Sequence, residues 1–168
     1  MTAASRLDRM IARLTTQRAC LRRAADLIAD LPGPVIELGL GKARTYDHLV
    51  RLLPGRKIYA FDRGIHCPPD AVPPGDRLVL GEFDDTLPAA RERLGGAPVL
   101  VHVDMGTADR AGDSGPAGRV GAMLKDLVAP GGLVVADREM GLGAWEALPL
   151  PEDAGAWPYF MWRKSARG

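Results

Sequence analysis

Four carboxylates stand at or near the ends of short apolar runs. Glu37 falls within Val35-Ile36-Glu37-Leu38, Asp62 follows Ile58-Tyr59-Ala60-Phe61, Asp104 closes the run 98–103, and Asp137 follows Leu133-Val134-Val135-Ala136. If the runs are parallel strands, their ends share one sheet edge and the four acids gather around one crevice. Such a ring repels phosphate and welcomes a cation or a set of hydroxyl donors. Two histidines belong to the same inventory. His66 opens a proline-rich loop, where an imidazole can reach a ligand. His102 lies inside the fourth run, on the opposite face from Val101 and Val103, and reads as a buried structural histidine. Asp104, Asp137 and His66 are therefore the candidate bases for any proton transfer in the crevice.

The elements that must position these groups follow from the apolar pattern. The stretch 35–38 reads as a strand that runs into the turn Gly39-Leu40-Gly41, and the turn opens a helix carrying Tyr46, Leu49, Val50 and Leu53. Further strands are expected at 57–62, 77–80, 98–103 and 133–136. The nearly unbroken apolar run at 98–103 suits a central strand covered on both faces. Four prolines between Pro68 and Pro74 forbid a helix interior between the second and third strands, so that crossover is expected to be a loop. A helix is expected at 86–94 with Pro88 in its first turn, a polar loop at 109–115 and an amphipathic helix at 120–128. Runs at 145–150 and 159–164 suggest an antiparallel C-terminal hairpin. The expected fold class is α/β: a Rossmann-like, doubly wound, mostly parallel sheet with that hairpin and an extra N-terminal helix.

The first 30 residues carry leucine or isoleucine every seventh position, at Leu7, Leu14, Leu21 and Ile28, widened by Met10, Ile11, Ala24, Ala25 and Leu27. Arg18 interrupts a second seam, which argues against a long coiled coil. The stripe must cover the domain's own sheet or a second subunit, so a homo-oligomer through this helix is one expectation. Leu31-Pro32-Gly33-Pro34 stops the helix. The organisation is then one domain over 1–168: the helix at 1–30, a ligand-binding core at 34–137 and the hairpin at 144–168.

Composition bounds the partners. With 168 residues, 46% hydrophobic and 26% charged, the chain can bury an ordinary globular core. A net charge of +1 gives no global field toward nucleic acid or an anionic membrane. Arg6, Arg9, Arg13, Arg22 and Arg23 read better as a solvated helix face than as a nucleic-acid surface. Cys20 and Cys67 lack a paired spacing, and no apolar leader or membrane-length run is present. The expected location is the cytoplasm. The excess of arginine over lysine and the absence of asparagine read as the coding bias of a GC-rich bacterial genome.

A nicotinamide-dependent oxidoreductase shares the strand–glycine–helix opening. Here Arg44 stands at the third fingerprint position, and Glu37 would face the pyrophosphate. The order Val-Ile-Glu37-Leu-Gly39-Leu-Gly41, Tyr-Ala-Phe-Asp62 and Leu-Val-Ala-Pro130-Gly131-Gly132-Leu-Val-Val instead resembles the class I S-adenosylmethionine-dependent methyltransferases over residues 31–137. The resemblance implies S-adenosyl-L-methionine as cofactor and methyl transfer by in-line displacement to an acceptor, with a small molecule the best fit. A non-catalytic binder of S-adenosylmethionine or S-adenosylhomocysteine is the alternative, since no acceptor motif such as Asn/Asp-Pro-Pro-Tyr follows the fourth strand.

Roles carried over by position are these. Gly39 and Gly41 approach the methionine portion, and Glu37 stabilises its ammonium group directly or through water. Asp62 accepts from the two ribose hydroxyls. Asp84 meets the adenine amino group, with Phe83 as a face for the ring and Arg63 stacking on it or pairing with an acid. Asp104 closes the pocket near the sulfonium, and Tyr46, on the helix after the glycine turn, completes the cofactor set. Ala43 takes the usual third small position. The pair Asp104 and Asp137 is similar to the metal site of catechol-type O-methyltransferases, but Arg138 stands where that group has asparagine. Its fixed positive charge opposes a cation, so no metal is expected. The acceptor space is expected between the N-terminal helix and the tail around Trp145, Trp157 and Tyr159.

Overall fold

In the computed structural model, residues 4–106 and 111–166 are described. The chain opens with α1 (Arg6–Leu27), whose start is closed by a capping box: the Ser5 hydroxyl accepts from the Asp8 amide while the Asp8 carboxylate accepts from Ser5. The leucine repeat divides along this helix. Leu21 and Ile28 are fully buried with Cys20, Ala24 and Ala25, whereas Leu7 and Ile11 are 67% and 54% exposed.

Strand β1 (Val35–Leu38) is buried along its whole length and leads into α2 (Arg44–Leu52). Strand β2 (Ile58–Asp62) is followed by the proline segment, which forms two single 3-10 turns at Pro69–Ala71 and Gly75–Arg77 in place of an α-helix. Next come β3 (Leu78–Leu80), α3 (Phe83–Thr86), α4 (Ala90–Leu94), β4 (Leu100–Val103), α5 (Ser114–Leu127) and β5 (Leu133–Ala136). The chain closes with β6 (Glu146–Ala147) and β7 (Phe160–Arg163).

The seven strands form one sheet in the order β3-β2-β1-β4-β5-β7-β6. Strands β1 to β5 pair in parallel, and β7 runs antiparallel to both β5 and β6. Alternate residues feed two apolar layers. Ile36, Leu38, Val101, Val103 and Val134 face α4 and α5, while Val35, Leu100, Leu133 and Val135 face α1 and α2. The doubly wound α/β arrangement is the one expected.

Boundaries differ in three places. The single helix expected at 86–94 is two short pieces, with Leu87, Pro88 and Ala89 between them; Pro88 has no amide to donate. Helix α5 starts at Ser114, inside the expected polar loop, because Ala117, Val120, Gly121 and Leu124 share one buried face; Asp109 and Arg110 of that loop lie outside the described residues. The hairpin strands are shorter than the apolar runs that suggested them.

Candidate functional site

The strand ends β1, β2 and β4 meet at the turn Gly39-Leu40-Gly41. Gly39 has φ +90°, and a Cβ there would stand 2.3 Å from the Asp104 carbonyl oxygen, so only glycine lets the ends of β1 and β4 come together. Gly41, at φ +49°, has nothing within 4 Å of a notional Cβ and borders open space. Ala43 adopts φ +59°, and its amide donates to the Leu40 carbonyl at 2.7 Å. Its methyl group is buried in the layer under α1 and α2, so alanine occupies a left-handed turn that glycine usually takes.

Asp62 braces this turn. One carboxylate oxygen accepts from the amides of Leu40 (2.8 Å) and Gly41 (3.2 Å), and the other accepts from Gly64 (3.3 Å). Sequence reasoning assigned Asp62 to ligand hydroxyls alone; its hold on the glycine turn emerges only when β2 lies beside β1.

Two cavities flank the turn. An open groove of about 430 Å³ is bordered by Asp62, Arg63, Glu82, Phe83, Met105 and Arg119 among others. A smaller cavity of about 260 Å³ lies under α1, bordered by Met10, Arg13, Leu14, Gln17, Lys42, Arg44 and Thr45. Gly39, Gly41, Asp104 and Gly106 border both and form their common wall. Arg13 donates to Oδ1 of Asp104 at 2.6 Å and Gln17 donates to Oδ2 at 2.9 Å, so α1 is fastened over this wall.

The remaining expected residues distribute unevenly. Asp62, Arg63, Phe83, Asp104, Gly39 and Gly41 border the groove. Asp84 does not: it is exposed at the start of α3, 3.9 Å from Arg119, and Glu82 and Phe83 form the groove wall instead. Glu82, 3.9 Å from Arg63, was missed because its position relative to the groove depends on where α3 begins. Tyr46 is buried beneath α2 and away from both cavities, since that face of the helix packs on the sheet. His66 has an exposed side chain that borders neither cavity; its carbonyl accepts from Lys42 Nζ at 2.8 Å. Asp137 is buried and accepts from Arg138 at 2.6 Å, and the same guanidinium donates to Asp113 at 2.9 Å. A fixed cation thus lies between Asp137 and Asp113. Among the described residues, no group of three or more His, Cys, Asp or Glu side chains is placed to hold a metal ion.

Glu37 reaches neither cavity directly. It is fully buried, and both its oxygens accept bonds from the protein. The Thr45 hydroxyl donates to Oε1, and Nδ1 of His102 lies 2.7 Å from Oε2. Glu37 and His102 are register partners on β1 and β4, which puts their side chains on the same face. Nε2 of His102 lies 2.5 Å from the Tyr159 hydroxyl, and Tyr159 is buried just before β7. Burial pushes the Glu37 carboxyl upward, with His102 and Thr45 acting against it. Burial pulls His102 down, but the Glu37 carboxylate, its hydrogen bond and the charges of Asp104 and Asp137 outweigh it and leave the imidazole raised. His102 is buried, as its strand position implied, yet it is also the centre of a polar chain. Tyr159 belongs to that chain, with its hydroxyl turned to the imidazole. Trp145 and Trp157 pack against opposite layers of the sheet.

The strand order and the crevice around the glycine turn define a Rossmann-like fold of the methyltransferase type. A family model described as S-adenosyl-L-methionine methyltransferase matches residues 4–164, and the chain belongs to that family. It is similar to an S-adenosyl-L-methionine methyl transferase from Silicibacter pomeroyi DSS-3, at 42% identity over 97% of this chain and 100% of the other, with a TM-score of 0.90. It shares its fold with the O-methyltransferase TomG from Streptomyces achromogenes, solved in complex with S-adenosylmethionine (17% identity, 97% and 81% of the chains, TM-score 0.54). Human N-acetylserotonin methyltransferase, also solved with S-adenosylmethionine, matches at 16% identity and a TM-score of 0.58. There the match covers 92% of this chain and 54% of the human one, so this chain spans about half the length of that relative. No protein of curated function matches the sequence. The protein is an S-adenosylmethionine-dependent methyltransferase, and the oxidoreductase and non-catalytic readings give way to that assignment. Among the described residues, no helix is long and apolar enough to cross a membrane.

Proposed function

We propose that this methyltransferase acts on a small-molecule acceptor, and that its cofactor lies across the strand ends with adenosine in the groove and the methionine portion under α1. The observation that carries this reading is the common wall of Gly39, Gly41, Asp104 and Gly106 between an adenosine-sized groove and a cavity of mixed charge. The residues present fit the cofactor. Asp62 keeps acceptor capacity toward ribose hydroxyls beside its three amide bonds, since each carboxylate oxygen carries two lone pairs. Phe83 offers an apolar face for the base, and Glu82 an acceptor for its amino group. Arg13, Lys42 and Arg44 supply positive charge for a carboxylate, while Asp104 and Thr45 supply acceptors for an ammonium group.

S-adenosylmethionine supplies an activated sulfonium methyl group for direct in-line displacement by the acceptor. The work left to the chain is alignment and exclusion of water. Asp104, held at both oxygens by α1, sets negative charge at the common wall without having to move. Met10 and Leu14 give the cavity an apolar rim, which suits an acceptor with an apolar body. The exposed stripe Leu7, Met10, Ile11 and Leu14 also supports association of two copies through α1. The unpaired Cys20 and Cys67 support a reducing, cytoplasmic setting.

Calorimetry with S-adenosylhomocysteine and NADH tests the ligand layout; tight NADH binding with none of S-adenosylhomocysteine refutes it. Product release, followed as homocysteine in a coupled assay, is then screened against a metabolite library, with bulk RNA and a protein extract as parallel acceptors. Turnover confined to the macromolecular acceptors overturns the small-molecule assignment.

A further inference from the structure

Glu37, the acid expected to stabilise the cofactor's ammonium group directly or through water, cannot touch a ligand where it stands. Its side chain has no exposed surface, and its two oxygens face Thr45 and His102. Thr45 is different: it borders the cavity under α1 together with Gly39, Gly41 and Asp104. The Thr45 hydroxyl is therefore the link between the Glu37 charge and that cavity. A hydroxyl has one proton. While Thr45 donates it to Glu37, only lone pairs remain for the cavity, and the neighbouring carboxylate enriches them. An ammonium group has three donors and no acceptor, so it matches that surface.

From this geometry we infer that Thr45 is the residue that receives the ammonium of the cofactor's methionine portion, and that His102 and Tyr159 are positioning residues that hold Glu37 charged behind it. The inference rests on the cofactor layout proposed above. With His102 doubly protonated, Nδ1–H donates to Glu37 and Nε2–H donates to the Tyr159 oxygen, so both ends of the imidazolium are satisfied within buried structure. A buried carboxylate needs such a partner, because an unpaired charge in that environment takes up a proton instead. A protonated Glu37 has a hydrogen to give, which frees the Thr45 hydrogen to turn toward the cavity and repel an ammonium. The polarity of Thr45 toward the ligand is thus set by the charge on Glu37.

The other charged or polar groups facing the pair are Asp104 and Asp137 at the ends of β4 and β5, Arg13 and Gln17 of α1 through Asp104, and Tyr159. The two acids hold the proton on His102, while Arg13 offsets Asp104. On acidification the pair takes a second proton at Glu37, and ammonium affinity falls. Without the charge of His102, Glu37 takes its proton at higher pH, and the acid-side loss moves upward.

The test compares two probes by calorimetry: S-adenosylhomocysteine, which carries the amino-acid portion, and 5′-methylthioadenosine, which lacks it. Thr45→Val should weaken S-adenosylhomocysteine about tenfold, leave methylthioadenosine within about twofold, and be rescued by Thr45→Ser. His102→Gln should shift the acid-side loss of S-adenosylhomocysteine affinity to higher pH and leave the methylthioadenosine profile flat. Equal weakening of both probes by Thr45→Val, or no weakening of either, overturns the assignment of Thr45. An unmoved pH profile in His102→Gln overturns the role of His102; if that variant does not fold, a wild-type S-adenosylhomocysteine profile that parallels methylthioadenosine does so. Wild-type protein that binds neither probe would refute the cofactor layout itself, whereas normal wild-type binding with an indifferent Thr45→Val refutes this inference alone.

Discussion

Arg13 of α1 and Asp104 at the end of β4 stand 91 residues apart and form a 2.6 Å ion pair over the wall shared by the groove and the cavity. Gln17, one turn further along α1, takes the second Asp104 oxygen. The pair turns an N-terminal helix into the roof of the site. It also explains why the leucine repeat is divided: the half of α1 beyond Gln17 packs on the sheet, and the half before it overhangs the cavity.

Arg13→Met keeps the apolar stem and removes the charge. Arg13 is 31% exposed and Gln17 still holds Asp104, so the expected loss of stability is small, about 0.5–1 kcal/mol. The expected loss of S-adenosylhomocysteine affinity is larger, roughly three- to tenfold, because the roof loses its charged fastening. Calorimetry and thermal melts on the same preparations separate the two effects. Unchanged affinity with a large drop in melting temperature would show that the pair is purely structural.

Asp62 and Asp84 were assigned to the same ligand, but the structure separates them. Asp62→Ala removes both the ribose acceptor and the brace on Leu40 and Gly41, and should weaken S-adenosylhomocysteine by about 2 kcal/mol or more. Asp84→Ala, exposed and outside the groove wall, should leave affinity within about twofold. Parallel titrations decide it; equal losses would return Asp84 to the site.

Gly121 of α5 carries no chemistry, yet a Cβ there would lie 1.7 Å from the Met140 carbonyl oxygen. Backbone must shift to admit it, so Gly121→Ala should cost about 2–3 kcal/mol and lower the melting midpoint by roughly 4–12 °C. Any protein that remains folded should bind S-adenosylhomocysteine normally. A melt indistinguishable from wild type would mean that α5 and the segment after β5 are not in close contact.

His102 makes stability depend on pH. Its ordinary value is 6.5 and the folded value is raised; burial acts downward, but Glu37, Asp104 and Asp137 outweigh it. A raised imidazole contributes stability that is fully present below pH 6.5 and is lost as pH climbs through the folded value. The raised Glu37 acts in the same direction, since its buried charge becomes harder to hold as protons leave. Urea titrations of wild type and His102→Gln should therefore differ most on the acid side of pH 6.5 and converge only as pH climbs through the raised folded value. A difference that grows with rising pH contradicts this assignment.

Residue pattern alone carried the strand runs, the glycine turn, the strand-end acids and the proline stop after α1, because periodicity and turn chemistry are local properties of the chain. The same local evidence put Glu37, Tyr46, Asp84 and His66 into one ligand site. Tertiary structure redistributed them. Tyr46 turned to the sheet because one face of α2 must be buried, and Asp84 turned to solvent because α3 begins one residue before it. Glu37 was enclosed because β1 and β4 pair in a register that sets His102 beside it. No spacing in the sequence brings positions 13, 45 and 159 to the same strand ends. The acids were legible because each ends its own strand; their partners were not, because hydrogen bonds between distant segments exist only once the sheet order and the path of α1 have been set.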